Sequence, residues 1–250
     1  MIIFNPITVT AISYALSSTA AIGFSTQSPS SLSVSEGNKN LITQSYANQS
    51  LSRTHSGEVS MRELKYYVAC TVDRFIARKD DSYDFFLMEG EQVAYLLETF
   101  PETIPAHFRN KLGISAENKW FDVVLMGRRT YEVGLKDGFT NPYPQMKQYV
   151  FSRTLKESPD RNVEFVSDNA VGLVRELKQQ PGKDIWLCGG GDLATMLSGE
   201  IDEIILKVHP ILLGSGIPLF SGAIEQTSLE LTDSKIYSNG FMLLHYRVKK

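Results

Sequence analysis

The stretch DIWLCGGGDLATMLSGEIDEIILKVHPILLGSGIPLF, Asp184 to Phe220, decides how this chain is read. It runs apolar strand, glycine turn, short helix, strand, and a second glycine loop. Ile185 to Cys188 is a short apolar run ending in Gly189, Gly190 and Gly191, after which Leu193, Met196 and Leu197 recur at i, i+3 and i+4, laying one apolar stripe on a helix. Gly199 is placed to end that helix in a left-handed cap. Asp202 to His209 then alternates, with Ile204, Leu206 and Val208 on one face and Ile205, Lys207 and His209 on the other. A strand that passes through glycines into a helix leaves unpaired N–H groups at the helix start, where the macrodipole favours negative charge. Such a turn is a natural phosphate cradle.

Working outward, the same device recurs twice. Phe121 to Met126 reads as a buried strand and runs directly into Gly127-Arg128-Arg129-Thr130, the start of a helix with two arginines in its first turn. Arginines there oppose the dipole at a cost of about a few tenths of a kcal/mol. A ligand phosphate would remove the conflict; two solvated surface arginines is the plainer account. Lys147 to Phe151 is a third strand, ending in Ser152-Arg153-Thr154, hydroxyls flanking another arginine. Ligands of open α/β sheets bind outside the carboxyl ends of the strands, so three such ends can converge on one extended anion. Arginine forks onto phosphate oxygens and hydroxyls donate to them. Together they point to a nucleotide with two separated phosphate groups. Read as Gly189-x-Gly191-x-x-Ala194, the glycines also fit a loose dinucleotide fingerprint. That motif, however, opens the first βαβ unit and is followed about 20 residues later by an acid. Here it lies late, and Pro210 to Leu213 fills that place. No Gly-Lys-Ser/Thr follows, which excludes a P-loop.

The remaining elements frame these ends. Leu64 to Cys70 reads as a buried strand rich in aromatic and β-branched residues, followed by a polar turn at Asp73-Arg74 before Phe75-Ile76. A helix is predicted over Glu91 to Phe100, with Val93, Leu96, Leu97 and Phe100 on one face. Pro101 and Pro105 open a loop reaching to about Lys119, with one helical turn at His107 to Leu112; its length suits a lid or a plain surface insertion. Val163 to Val166 is a short strand, and Ser167 or Asp168 caps a helix carrying Val171, Val174 and Leu177. Ser228 to Leu231 and Gly240 to Val248 are strands joined through Ser238-Asn239-Gly240, a hairpin signal. Strands alternating with helices up to residue 200, then an antiparallel tail, describe an α/β fold with a mixed sheet and helices on both faces.

Composition bounds the function. The chain has 250 residues and a net charge of -3, which gives no reason to expect nucleic acid or an anionic membrane as a partner. Cys70 and Cys188 lie far apart in apolar strands and read as buried free thiols, and the four histidines form no HExxH or CxxC constellation, so no metal is expected. Residues 1–60 differ from all that follows. They hold only four charged residues (Glu36, Lys39, Arg53, Glu58), are crowded with Ser, Thr, Asn and Gln, and show no sustained period. Ile7 to Phe24 has no Lys or Arg before it and is too broken for a signal peptide or a membrane span. The segment reads as a disordered extension, an organelle-targeting peptide, or a stretch preceding a true start at Met61. The fold is expected to begin at about Met61.

VACTVDRFIA, MGRRTYE, YVFSRT, and above all IWLCGGGDLATML followed by DEIILKVHPILLGSGIPLF, resemble the dihydrofolate reductase-like superfamily. The branch they look most like contains the reductase domain of bacterial riboflavin-synthesis deaminase-reductases and its stand-alone relatives. The resemblance covers about Met61 to Lys250, in the family's order and spacing. The deaminase's HxE and PCxxC zinc signature is absent. The resemblance implies a three-layer fold with a mixed, mostly parallel central sheet, helices on both faces and an antiparallel C-terminal hairpin. It also implies NADPH as cofactor, a small-molecule substrate, a cytoplasmic setting and self-association as a homodimer.

Carried over residue by residue, the resemblance puts Gly127, Arg128, Arg129 and Thr130 by the adenosine-side phosphates. Ser152 and Arg153 would hold the ribose 2′-phosphate, and Gly189, Gly190, Gly191, Asp192 and Leu193 would wrap the pyrophosphate. Ala69 and Ile76 would flank the nicotinamide. True dihydrofolate reductases carry a Pro-Trp pair and then an acid that binds the pterin. Here that region reads Asp84-Phe85-Phe86-Leu87-Met88-Glu89, so Asp84 or Glu89 supplies a pocket carboxylate, or both are solvated helix-start acids. The expected function is an NADPH-dependent reductase that transfers hydride to a small pterin- or pyrimidine-like heterocycle. The alternative is a nucleotide-binding or sensing module that binds NADPH without turnover. The second glycine loop, Gly214 to Pro218, either borders the substrate pocket or only turns the chain.

Overall fold

Apolar runs that read as strands form strands, and the helices fall between them. In the computed structural model, which describes residues 61–158 and 160–250, the elements are β1 (Leu64–Thr71), β2 (Phe75–Ala77), α1 (Glu91–Thr99), α2 (Ala106–Leu112), β3 (Phe121–Gly127) and α3 (Arg128–Lys136). They continue with β4 (Lys147–Phe151), β5 (Val163–Val166), α4 (Ala170–Gln179), β6 (Asp184–Gly189), α5 (Gly191–Met196), β7 (Glu203–His209), β8 (Ile217–Pro218), β9 (Leu229–Ile236) and β10 (Met242–Val248). The extension expected over residues 1–60 lies outside the described residues. No helix among the described residues is long and apolar enough to cross a membrane.

One eight-stranded sheet runs in the order β5-β4-β3-β6-β1-β7-β10-β9. Strands β5 through β7 pair in parallel, while β10 and β9 return antiparallel. β1 and β6 are central and buried at every position, which is why both read as continuous apolar runs rather than alternating ones. Helices α4 and α5 cover one face through Val174, Leu177, Leu193 and Leu197, packed on Leu64, Tyr66, Val123, Ile185 and Leu187. The other face buries Leu96 and Phe100 at the end of α1, and Tyr131 of α3, against Tyr67, Phe121, Trp186 and Ile205. Tyr67 stacks on Phe100 with centroids 4.6 Å apart, and Trp186 Nε1 donates to the Tyr67 carbonyl at 2.9 Å. This is the three-layer, mixed, mostly parallel architecture with a C-terminal antiparallel pair. The edge strand β9 is exposed at nearly every position, Leu229, Leu231 and Ile236 included.

The amino ends of the strands are closed by charge. Lys65 on β1 is buried, and its Nζ lies 2.6 Å from Glu203, 3.2 Å from Asp184 and 3.2 Å from Glu63. His245 on β10 adds a contact to Glu203 at 3.1 Å. Burial alone would depress Lys65, but Glu203, Asp184 and Glu63 outweigh it and hold the ammonium above the ordinary lysine range. Burial likewise opposes the charge on Glu203, yet His245 and Lys65 pull its carboxyl down to about 2.

Four local expectations are narrowed or changed. Residues 101–119 form a surface insertion, exposed over most of 111–119 and pinned at both ends. Glu102, fully buried, accepts from the backbone N–H groups of Lys119, Trp120 and Phe121 at 3.2, 2.6 and 2.8 Å, and α2 begins one residue before the turn expected at His107 to Leu112. α4 is capped by Asn169 rather than Ser167 or Asp168: its side chain accepts from Gly172 N at 3.2 Å, with the backbone in the left-handed region that asparagine tolerates. Gly199 sits in a 3₁₀ turn, Ser198–Glu200, outside the positive-φ residues, so α5 ends by tightening rather than by a left-handed cap. β9 extends five residues past Leu231, held there by pairing with β10 across an exposed surface that offers no apolar pattern to read.

Candidate cofactor cleft and inner cavity

The carboxyl ends of the parallel strands open into a cleft of about 940 Å³. Its walls are the three strand ends singled out by the sequence: Gly127, Arg128, Arg129 and Thr130 after β3, Ser152, Arg153 and Thr154 after β4, and Gly190, Gly191, Asp192 and Leu193 after β6. Ala69 and Ile76 line it as well. Gly189 does not, because it is still part of the buried end of β6, with a positive φ of 121°. Asp84 and Glu89 line neither this cleft nor the cavity behind it. The Asp84 side chain is 76% exposed and pairs with Arg78; Glu89 is exposed.

The three glycines have separate duties. A Cβ on Gly190 would stand 3.8 Å from Thr130 Oγ1 and 3.9 Å from Ile76 Cδ1, so its absence leaves backbone as the cleft floor. A Cβ on Gly191 would meet the Pro218 carbonyl at 2.4 Å and Ser221 Oγ at 2.5 Å; this glycine lets the second loop close on the start of α5. That second loop borders the cleft through Gly216, Ile217 and Pro218, and Ser221 just beyond it lines the cleft too. β8 pairs antiparallel with β2, setting Ala77 opposite Ile217. Asp73 braces the same loop: its carboxylate accepts from Leu213 N at 3.0 Å, Gly214 N at 2.7 Å and Thr71 Oγ1 at 2.5 Å. The Thr71 hydroxyl and the Gly214 N–H hold that carboxyl below its ordinary range.

Charge in the cleft divides into answered and unanswered cations. Arg128 pairs with Glu132 at 2.8 Å and Arg129 with Asp81 at 2.6 Å, so intramolecular carboxylates offset the dipole conflict at the start of α3. Arg153 and Lys79 line the cleft with no carboxylate partner among the described residues. Ser152 is buried and accepts from Thr154 N at 3.2 Å and Leu155 N at 3.0 Å, and its hydroxyl also stands 3.4 Å from Thr154 Oγ1, so the pair of hydroxyls shares one donor–acceptor contact beside Arg153. A bare-backbone floor, a free arginine beside a hydroxyl, and an apolar wall at Ala69 and Ile76 fit a phosphate-bearing dinucleotide.

Behind the cleft lies a cavity of about 30 Å³ between β1, β7 and α1, sharing Ala69, Tyr83 and Phe86 with it. The sequence had assigned Lys207 and His209 to one face of β7 without giving them a task. Both are buried, and both line this cavity. Lys207 Nζ rests 3.9 Å from the Tyr67 ring centroid and has no hydrogen-bond partner among the described residues. Burial lowers its pKa to about 7. His209 Nδ1 accepts from Leu87 N at 3.0 Å, and burial, followed by the nearby Lys207, lowers it to about 3. The usable signal was Ile205, which shares that face and shows that it is covered.

Comparison with known proteins agrees with this fold. Residues 68–243 match the family described as the RibD C-terminal domain. The chain is 32% identical over 190 residues to the uncharacterised protein YwjB of Bacillus subtilis strain 168, covering 74% of this chain and 97% of that one. It is 29% identical over 204 residues to the uncharacterised YyaP of the same strain, covering 76% and 97%. Among solved structures it resembles a candidate riboflavin biosynthesis protein from Shewanella sp. PV-4, with a TM-score of 0.54 and 23% identity over 75% of this chain and 99% of the other. It also resembles the Thermotoga maritima diaminohydroxyphosphoribosylaminopyrimidine deaminase/5-amino-6-(5-phosphoribosylamino)uracil reductase, with a TM-score of 0.53 and 15% identity over 76% and 57%.

Proposed function

The chain belongs to the RibD C-terminal domain family, and from that premise we propose that it is an NADPH-dependent reductase acting on a small pterin- or pyrimidine-like heterocycle. The observation that carries the reading is the 940 Å³ cleft, onto which three anion-friendly strand ends converge. Arg153 and the Ser152 hydroxyl would hold the ribose 2′-phosphate and so select NADPH over NADH. Arg128, Arg129 and Thr130 would face the adenosine-side phosphates. The N–H groups after β6, from Gly190 to Leu193, would take the pyrophosphate. Bound there, the cofactor supplies a hydride. The chain's own share is to fix position, to keep water from the apolar wall at Ala69 and Ile76, and to hold the substrate.

Titration of the protein with NADPH and NADH, followed by cofactor fluorescence, tests the reading. Submicromolar to micromolar binding of NADPH with much weaker NADH is expected; no NADPH binding at submillimolar concentration overturns it. A second reading, a module that binds NADPH without turnover, draws support from Asp84 and Glu89, the expected pocket acids, both standing clear of the cavities. NADPH binding without oxidation across pterins, pyrimidines and quinones would favour it. Self-association belongs to the same proposal and is read by sedimentation velocity. The open outer edge of β9 offers a second copy unpaired main-chain donors and acceptors.

A further inference from the structure

Reduction of a C=N or C=O bond consumes a proton as well as a hydride, and no carboxylate lines the cavity at the inner end of the cleft. Its polar groups are few. His209 has its Nδ1 occupied by the Leu87 N–H, so the neutral ring keeps its proton on Nε2, and with a pKa of about 3 it has no spare proton near neutrality. Tyr83, which joins cavity and cleft, is pushed up past the ordinary tyrosine range by burial and by Asp137. Lys207 differs from both. It is 1% exposed, hydrogen-bonded to nothing among the described residues, and rests on the Tyr67 ring. In register it stands directly beside Ala69, the residue common to cavity and cleft.

The other titratable groups around the ammonium are Cys70 on β1 and Cys188 on β6, both raised by burial and therefore neutral, with Tyr67 likewise raised. None supplies a counter-charge. A buried lysine lacking a partner costs stability, and the molecule retains one at the cofactor end of its sheet. The cavity, about 30 Å³, admits an oxygen or amino substituent but no ring.

We propose that Lys207 is a catalytic residue of this site, docking the acceptor heteroatom of the substrate and giving it its proton; this rests on the NADPH reading. The substrate is then a planar heterocycle whose ring lies in the cleft against Ala69, with one carbonyl oxygen or imine nitrogen directed into the cavity. Its carbon accepts the hydride with both electrons of the broken C–H bond. The π pair of C=O or C=N moves to the heteroatom, which takes a proton from Nζ. Substrate is reduced, NADPH is oxidised to NADP⁺, and the neutral amine regains its proton from water. A pKa near 7 suits that exchange, because donor and reprotonated states are both populated at neutral pH.

The test uses the full chain labelled with ¹³C and ¹⁵N, with the Lys207 Cε and Nζ resonances assigned by their loss in Lys207→Met. NADPH binding is measured first, on wild type and variant. The lysine is then titrated with pH in the NADP⁺ complex, with and without lumazine (pteridine-2,4-dione) or uracil as carbonyl-bearing probes. The expected result is a Lys207 that titrates near neutrality and shifts upward by about one unit when a probe binds, since an acceptor stabilises the ammonium. Lys207→Met should bind NADPH as wild type does and lumazine about tenfold more weakly. Failure of the wild type to bind NADPH overturns the underlying reading. NADPH binding with a Lys207 resonance indifferent to both probes, or titrating above about 10 like a free lysine, overturns this assignment alone.

Discussion

Two buried lysines share one face of the sheet. Lys65 stands opposite Glu203, and four residues further along the same pair of strands Lys207 stands opposite Ala69, about 13 Å away at strand spacing. At the amino ends of the strands, Glu203, Asp184 and Glu63 surround the first ammonium. At the carboxyl ends, the second rests on an aromatic ring, and the thiols near it, Cys188 and Cys70, are neutral. The same side chain at similar burial is thus pushed in opposite directions, above the ordinary range and down to about 7. In one place the fold supplies partners and obtains stability; in the other it withholds them and obtains a reactive group. That division follows the general placement of ligands in open α/β sheets, at the carboxyl ends.

Replacing each lysine in turn is the strongest way to break the comparison. Lys65→Met leaves buried carboxylates without a cation and should cost about 4 kcal/mol in urea-induced unfolding. A loss under 1 kcal/mol would mean that water, and not Lys65, balances those acids. Acid titration of the wild type should show the next largest effect. Glu203 is held at about 2 in the folded protein against 4.5 for the ordinary group, so its stabilisation is complete above about pH 4.5 and is lost as pH falls towards 2. A decline of about 2–3 kcal/mol across that window is expected, and Glu203→Gln should flatten it.

Lys207→Met should do the reverse of Lys65→Met. Removing an unpaired buried ammonium should raise stability by about 2 kcal/mol near neutral pH while weakening substrate turnover. The wild type should also gain stability as pH rises from about 7 to 10.5, the window in which the unfolded lysine holds a proton that the folded one has lost. A destabilised Lys207→Met would remove the contrast between the two ends. The smallest effect concerns the cofactor: Arg153→Ser should weaken NADPH about tenfold, or about 1.4 kcal/mol, with NADH and the melting temperature unchanged.

Much of this could be read in the sequence, for a physical reason. Strands buried on both faces are short apolar runs, and β4 and β5 begin and end where their runs do. The three strand ends are visible because glycine, serine and arginine are conspicuous against such runs. What escaped depends on partners distant in the chain. Glu102 fixes residues 101–119 through backbone N–H groups up to 19 residues away, which no local pattern records. Glu132 and Asp81 answer the two arginines that had read as a phosphate clamp or as solvated surface charge, an intramolecular pairing that spacing did not show. Lys207 looked like the polar half of an alternating strand, and only the cover given by α1 and Phe241 turns that half into an interior.

The place of β1 in the sheet has a consequence for how the chain is made. β1 lies between β6 and β7, and its ladder partners are distant: Tyr66 pairs with Leu187, 121 residues downstream, and Lys65 with Glu203, 138 residues downstream. At a ribosomal rate of roughly 5–20 residues per second, β1, the first of the described strands to emerge, waits roughly 6–24 s for its first neighbour in the sheet. During that interval β3, β4 and β5 can pair among themselves, because they are adjacent in the sheet and successive in the chain. Among the described residues an apolar strand thus emerges long before its neighbours, and its surface stays exposed to aggregation or chaperone capture until β6 and β7 follow.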